Sequence, residues 1–211
     1  MESRLIAEQL VKNAGALGWT EVGTAEAALI QRCTAGEQGA CAELVASHER
    51  MVYQLAFHLL ADRDEALDLS QEVFLRVFRT LPSFRGQSAL RTWIYRIAIN
   101  QARNRQRWWR RRRRGDQVQL EQHVLEHGDL RQPGDSDSPD RVLARKELAT
   151  KLWTALDHLP FDQRTVVVLR EIDGLSYEEI AESLDVAIGT VKSRLTRARQ
   201  TLRRELRGMH T

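Results

Sequence analysis

The residues of this sequence that could bind another molecule are concentrated between positions 84 and 114, where eleven arginines occur without one aspartate or glutamate. Guanidinium groups bind phosphates, and amide side chains form hydrogen bonds with base edges. Aromatic rings can stack on unpaired bases, and after Phe84 the stretch contains four more: Trp93, Tyr95, Trp108 and Trp109. A solvated basic face is the alternative interpretation. The length of the acid-free run and the interspersed rings favour nucleic-acid binding.

Helical periodicity predicts that one element carries these groups. An inward-facing stripe recurs at helical spacing: Leu90, Trp93, Ile94, Ile97 and Ala98. A turn of about 100° per residue places polar groups along another side: Thr92, Arg96, Asn100, Arg103 and Arg107. The same helix is therefore expected to bury one side in a core and to present cations and amides on another.

A second basic element follows a short acidic helix near the carboxyl end. Ser176 and Glu179 have the spacing of a capping box, and residues 185–187 provide a turn before the next helix. That next helix carries Lys and Arg beside short hydroxyls: Lys192, Ser193, Arg194, Thr196, Arg197 and Arg199. The pattern predicts a DNA-binding helix-turn-helix, and a hairpin that only packs is the alternative.

Three polar residues share one face of a further predicted helix. Asp68, Gln71 and Glu72 stand at positions i, i+3 and i+4, so their side chains are neighbours. By physical reasoning alone these residues form a solvated polar face, because nothing buried or metal-like requires them.

The charge distribution is more informative than the net charge of +3 over 211 residues. Residues 84–114 carry +11 and residues 186–207 carry +6, whereas residues 115–140 hold seven acids against one arginine, a net charge of −6. Two basic surfaces separated by an acidic segment are typical of a protein that meets a polyanion at two places.

An enzyme is not supported by any motif in the sequence. His123, Glu126 and His127 match a metalloprotease pattern, but they lie in a Gly- and Pro-bounded acidic segment where no core would hold a ligand. Cys33 and Cys41 are not a metal-type pair or a disulfide framework. We therefore expect no cofactor and no metal. With neither a secretory signal nor an apolar run of membrane-spanning length, a reducing cytoplasm is the expected setting.

The expected fold is all-α, with two small helical domains joined by a flexible acidic linker. Residues 1–24 form a lead that we expect to be partly disordered or loosely helical. Residues 25–114 form the first domain, and residues 140–211 form the second, which ends in the helix-turn-helix. The linker, residues 115–139, is too long and too rich in Gly and Pro to lie inside a compact domain.

Local signals predict where the helices begin and end. In the first domain the predicted helices cover residues 25–34, 40–60 and 64–80, with Leu67 among the inward residues of the third and Pro82 stopping it. Ser88 is predicted to cap the arginine-rich helix. In the second domain, helices are predicted from a cap at Asp140 to about residue 158, then over residues 163–172, 176–184 and 188–206.

Three segments in this order resemble a bacterial RNA polymerase sigma factor of the extracytoplasmic-function class. Residues 68–78, DLSQEVFLRVF, resemble the region that docks on the clamp helices of the polymerase. Residues 83–100, SFRGQSALRTWIYRIAIN, resemble the promoter-melting segment with its base-capturing loop. Residues 175–182, LSYEEIAE, and 189–195, GTVKSRL, resemble the reader of the upstream promoter element.

The resemblance implies a protein that binds core RNA polymerase and promoter DNA, with an anti-sigma factor as a further partner. It implies polymerase contacts by Asp68, Gln71 and Glu72. For the downstream element and melting it implies Phe84, Arg85, Gly86, Gln87, Ser88, Trp93, Arg96, Asn100, Arg103 and Asn104. For the upstream element it implies Lys192, Ser193, Arg194, Thr196 and Arg197.

Some residues depart from the family pattern, and one alternative function stays open. Ala187 stands where a proline often precedes the recognition helix, and Thr196 replaces a bulkier residue of some members, so the upstream sequence preference is open. The alternative is a helix-turn-helix regulator that binds duplex DNA without polymerase. It would account for residues 176–206 and leave residues 68–100 unexplained.

Overall fold

The computed structural model describes residues 23–112 and 139–208, and all of their regular elements are helical. The expectations for the lead, for most of the linker and for the rejected histidine pattern fall outside these residues. The described helices form a first set before the linker and a second set after it. Within the described ranges, the all-α prediction is confirmed.

The first helical set contains four α-helices. Their bounds are α1 Thr24–Thr34, α2 Gln38–Leu60, α3 Arg63–Thr80 and α4 Leu90–Arg112. The Asp62 carboxylate caps α3 by accepting the Glu65 N–H at 3.0 Å, which satisfies a donor that the helix itself leaves open. The chain leaves α3 through a short 3₁₀ turn, Leu81–Ser83, because Pro82 cannot continue the helix.

The core of the first set is built from the apolar sides of all four helices. Its largest fully buried side chains are Ile30, Leu44, Leu55, Leu59, Leu69, Leu90, Ile94, Tyr95 and Ile99. The predicted inward stripe of α4 faces this core, with Leu90, Ile94 and Ala98 buried and Trp93 and Ile97 partly covered. Burial of this stripe fixes the direction of the polar side of α4.

The second helical set also contains four α-helices. Their bounds are α5 Pro139–Asp157, α6 Phe161–Val167, α7 Tyr177–Leu184 and α8 Ile188–Gly208. After α6 the chain widens into a π-helical turn, Val168–Ile172, closed by a hydrogen bond from the Asp173 N–H to the Val168 carbonyl at 3.0 Å. Gly174 then adopts a left-handed conformation, with φ of 73°, and the chain turns there towards α7.

The two sets pack against each other. Helix α4 packs on α7, and α2 packs on α6 and on the π-helical turn. The His58 ring of α2 stacks on the Trp153 ring of α5, with centroids 4.7 Å apart. Independent folding of the two sets stays a prediction, and in the structure they share this interface, called here the inter-set interface.

Three local expectations differ from the structure. Leu67 was expected inside but is 46% exposed, because the buried stripe of α3 passes through Ala66 and Leu69 instead. Ser88 is buried in the loop before α4, and the Ala89 carbonyl accepts the first helical hydrogen bond, from the Trp93 N–H. Helix α5 starts one residue before Asp140, at a proline, whose missing N–H costs nothing at a first helical position.

Candidate nucleic-acid and partner interfaces

The polar face predicted on α3 is exposed and carries apolar residues as well. Asp68, Gln71 and Glu72 are all exposed, as expected of side chains on the side away from the core. Leu67 and Leu75 lie on the same side and are 46% and 56% exposed. These five residues are called the α3 face. Exposed leucines among acids suit a protein partner better than solvent alone.

Arg105 of α4 holds one edge of the α3 face. Its guanidinium donates to the Glu65 carboxylate at 2.6 Å and to the Glu72 carboxylate at 2.5 Å, and only 17% of its side chain is exposed. Glu72 is thereby fixed on the side of α3 that faces α4. Sequence reasoning missed this role because Arg105 and Glu72 are 33 positions apart and meet only when the two helices pack.

The loop before α4 separates the residues that the resemblance assigns to base capture. The Phe84 ring is buried and packs on the Trp93 ring, with centroids 4.9 Å apart and planes inclined by 44°. Phe84 and Arg85 line a cavity of about 360 Å³ between this loop and α1. Gly86 takes a left-handed φ of 65°, after which Gln87 is exposed and Ser88 is buried outside the lining of that cavity.

Four residues of α4 that are predicted to bind the downstream element fall into two pairs. One pair is exposed, and the other forms hydrogen bonds with the second helical set. Asn100 and Asn104 are exposed, one turn apart. Arg96 donates to the Glu182 carbonyl of α7 at 2.7 Å. Arg103 donates to the Asp162 carboxylate of α6 at 3.2 Å and lies over the Phe161 ring. The amides are therefore open to a partner, whereas the two arginines bind the second helical set.

Tyr95, expected among the rings available to bases, is fully buried at the inter-set interface. Arg91 donates to its hydroxyl at 3.2 Å and reaches the Asp173 carbonyl at 3.5 Å. Burial raises the pKa of Asp173 to about 6, although a hydrogen bond with Tyr95 and the charge of Arg91 oppose that rise. Burial also raises the pKa of Tyr95 to about 12. These groups form a largely desolvated polar cluster between the two sets.

The predicted DNA-reading helix, α8, presents an open face. Lys192, Ser193, Thr196 and Arg197 are exposed, while Val191, Leu195 and Ala198 are buried as expected. The two hydroxyls donate to carbonyls of their own helix, Ser193 to Thr190 at 2.9 Å and Thr196 to Lys192 at 3.0 Å. Small hydroxyls held close to the helix leave room for a DNA backbone between the two cations.

The turn that positions α8 has the predicted chemistry. The Ser176 hydroxyl accepts the Glu179 N–H at 3.1 Å, and the Glu179 carboxylate accepts the Ser176 N–H at 2.7 Å. This complete capping box starts α7, and Asp185 ends it in a left-handed conformation with φ of 54°. Asp tolerates that conformation better than most residues do. The helix-turn-helix geometry thus rests on local signals.

Arg194 is the exception on α8, because it turns towards the inter-set interface. It donates to the second oxygen of Asp162 at 3.1 Å, while Arg103 donates to the first. One carboxylate therefore binds an arginine from α4 and an arginine from α8. Sequence reasoning missed Asp162, and no local signal marks it, since its partners stand 59 and 32 positions away.

In residues 23–112 and 139–208, no group of three His, Cys, Asp or Glu side chains has the arrangement of a metal site. None of the helices described is both long and apolar enough to cross a membrane.

Comparison with protein families and curated proteins gives consistent matches. The family model described as "Sigma-70 region 2" matches residues 44–115, and that described as "Sigma-70, region 4" matches residues 149–202. The RNA polymerase sigma-H factor of Pseudomonas aeruginosa is 38% identical over 178 residues, which cover 84% of this chain and 92% of that protein. The ECF RNA polymerase sigma-E factor of Escherichia coli K12 is 37% identical over 175 residues, which cover 82% of this chain and 90% of that protein.

Solved structures give matches of the same kind. The sigma factor RpoE from Bartonella quintana, solved with the anti-sigma factor NepR, matches with a TM-score of 0.60 and 27% identity, covering 78% of this chain and 95% of that one. CnrH, solved with the cytosolic domain of CnrY, matches with a TM-score of 0.60 over 85% and 96% of the two chains. At 23% identity, the CnrH match supports the fold alone.

Proposed function

Because this chain belongs to the extracytoplasmic-function class of sigma factors, we propose that it uses three surfaces to direct core RNA polymerase to promoters. The α3 face docks on the polymerase. The loop at residues 84–88 and the exposed side of α4 read and melt the downstream element. The exposed face of α8 reads the upstream element. Selection and opening need no chemistry by the protein itself, so we propose that the chain is not an enzyme.

The observation that carries this proposal is the exposure of the α3 face. Asp68, Gln71 and Glu72 lie with two exposed leucines on a helix whose other side is fully packed. A stand-alone DNA-binding protein has no use for such a face on the helical set that lacks its helix-turn-helix. A polymerase-bound protein needs one, and acids beside leucines provide both charge complementarity and apolar contact area.

The assignment on α4 follows from what its side chains can bind. Asn100 and Asn104 present amides that can form hydrogen bonds with the edges of unpaired bases. Arg85 and Gln87 are exposed on the loop before the helix, near the rings of Phe84 and Trp93. Arg96 and Arg103 can hold strand phosphates once they leave their present partners. A melted strand would thus meet amides and cations along one helix.

The assignment on α8 follows from a face that is already open. Lys192 and Arg197 can bind phosphates or guanine edges, and Ser193 and Thr196 allow close approach of the DNA backbone. Arg194 lies at the border of this face, because Asp162 engages it. We propose that all five residues border the upstream element, with Arg194 joining after it leaves Asp162.

Run-off transcription with purified core polymerase tests the function directly. On genomic fragments of the source bacterium, the wild-type protein should direct initiation at discrete promoters, and neither component should do so alone. Initiation by core polymerase at the same sites without the protein, or binding of duplex DNA with no transcription, would favour the stand-alone regulator instead.

The docking assignment has a sharper test. Replacing Asp68, Gln71 and Glu72 together with Ala should abolish co-elution with core polymerase, because the face loses both its charge and its hydrogen bonds. The fold should survive, since Ala is the best helix former. A matched control replaces Glu43, Ser47 and Glu49, two acids and one polar residue exposed on α2. Equal binding by both triple variants would contradict the assignment.

We further propose an anti-sigma factor as a partner and the cytoplasm as the location. The Bartonella quintana sigma factor was solved with an anti-sigma factor, and the match to it covers 78% of this chain. A location beside core polymerase follows from the proposed function. Affinity capture from the source bacterium, with and without the three alanines on α3, identifies partners that compete for the polymerase face.

A further inference from the structure

The inter-set interface engages promoter-reading groups from both helical sets. Arg96 and Arg103 of α4 donate to the Glu182 carbonyl and to the Asp162 carboxylate of the second set. Arg194 of α8 donates to the other oxygen of Asp162. The resemblance to sigma factors assigns each of these arginines to promoter DNA, and a guanidinium group can bind two phosphate oxygens. In the structure, protein oxygens take the place that such phosphates would occupy.

Asp162 is the group that links the two readers. It lies in the first turn of α6, and its side chain is 45% exposed. Its two oxygens accept from arginines that are 25% and 24% exposed, Arg103 and Arg194. A carboxylate with one arginine on each oxygen resembles a phosphate that is bound from two sides. Asp162 cannot keep both contacts if α4 and α8 move to separate promoter elements.

Buried contacts beside Asp162 support the same closed arrangement. Arg164, on α6 with Asp162, is 6% exposed and donates to the Leu59 carbonyl of α2 at 3.1 Å and to the Asp157 carbonyl at 2.6 Å. The His58 and Trp153 rings stack across the same interface. The closed arrangement therefore includes a desolvated part, and the Asp162 contacts lie at its DNA-reading edge.

We propose that Asp162 acts as an intramolecular substitute for DNA phosphate, a clasp that holds α4 and α8 together until polymerase and promoter separate the two helical sets. The inference rests on the proposed roles of Arg103 and Arg194 in promoter binding. In the free protein the clasp keeps the melting helix closed to single strands. In the polymerase-bound protein the strand phosphates replace Asp162.

The expected effect of removing the clasp is modest. Of the two ion pairs of Asp162, only the one with Arg103 joins the two helical sets. One ion pair of partly exposed side chains contributes little, so losing it should shift the balance between closed and open forms by about twofold to fivefold. Because Asp162 is not part of the buried apolar core of either set, the fold of each set should be unaffected.

The experiment compares Asp162→Ala with Glu178→Ala in the full chain without polymerase. Glu178 is a matched control because it is an exposed acid in the first turn of α7, so both variants lose one negative charge from a helix start. The probe is a fluorescein-labelled single-stranded oligonucleotide of mixed sequence, and binding is followed by anisotropy. The radius of gyration from small-angle X-ray scattering reports opening in the same samples.

Asp162→Ala should bind the oligonucleotide about twofold to fivefold more tightly than wild type and should have a larger radius of gyration. Glu178→Ala should match wild type in both measurements. The clasp is refuted if the two variants behave alike, or if Asp162→Ala gains affinity at an unchanged radius, since charge removal alone then explains the gain. Run-off transcription by the Asp162→Ala holoenzyme should be close to wild type. If the wild-type holoenzyme is inactive in run-off transcription, that result contradicts the proposed function and does not bear on the clasp.

Discussion

Helices α4 and α8 are both rich in arginine and both carry promoter-reading candidates, yet the structure treats them differently. On α8, Lys192 and Arg197 project from an open face. On α4, Arg96 and Arg103 donate to oxygens of the other helical set. The difference teaches that a basic stretch predicts a polyanion partner without predicting whether its cations are free. An arginine is available to a polyanion only if oxygens of the same protein do not already bind its guanidinium group.

The comparison offers a physical reason for our prediction that the protein opens DNA only together with polymerase. The proposed upstream reader, α8, belongs to a hairpin that a capping box defines. The proposed downstream reader, α4, has exposed amides, but Arg96 and Arg103 already bind oxygens of the second set. Duplex recognition could then precede melting, which needs the helical sets to separate. Three changes to the chain can break or sharpen this contrast.

The largest effect is expected from Arg164→Met, which keeps much of the side-chain volume but leaves two carbonyls and the Asp157 carboxylate without their donor. Each buried unsatisfied acceptor costs about 1–3 kcal/mol, so the free energy of unfolding should fall by about 3 kcal/mol. Circular dichroism during urea unfolding measures it. Arg170→Met is the control, because Arg170 donates to Leu175 within the second set. An effect no larger than that of the control would mean that the inter-set interface contributes little.

A smaller effect separates the two readers directly. Arg197→Ala should weaken binding of the polymerase-free protein to duplex promoter DNA by about 1–3 kcal/mol if the side chain contacts a base in two places. Arg96→Ala should leave that binding unchanged, because Arg96 is already engaged with Glu182. With polymerase present, permanganate footprinting should show reduced opening for Arg96→Ala. Equal losses by both variants in the free protein would remove the contrast between α4 and α8.

The smallest effect concerns pH and Asp173. Its pKa is raised from 3.8 to about 6 in the fold, so its protonated form stabilises the inter-set interface. The contribution is fully present below about pH 4 and is lost as the pH rises through about 6. Between pH 4 and pH 7 wild type should therefore lose on the order of 1–2 kcal/mol of stability that Asp173→Asn retains. Parallel pH dependence of unfolding in the two proteins would exclude this role for Asp173.

Most local structure could be predicted because its causes lie within a few residues. Pro82 ends α3, and the Ser176–Glu179 capping box and the turn before α8 form as expected. Apolar spacing identified the buried side of α4. Leu67 was placed wrongly because a leucine fits an inward stripe and an exposed docking face equally well, and only packing distinguishes them.

The sequence by itself determined most of the helices, the capping box of α7, the charge of each segment and the family to which the chain belongs. Those properties depend on residues close together in the chain or on motifs of fixed order. The tertiary structure alone decided that Arg105 holds Glu72, that Tyr95 is buried against Asp173, and that Asp162 joins Arg103 to Arg194. Those contacts join residues 32 to 78 positions apart, which meet only because burial of apolar sides brings the helices together.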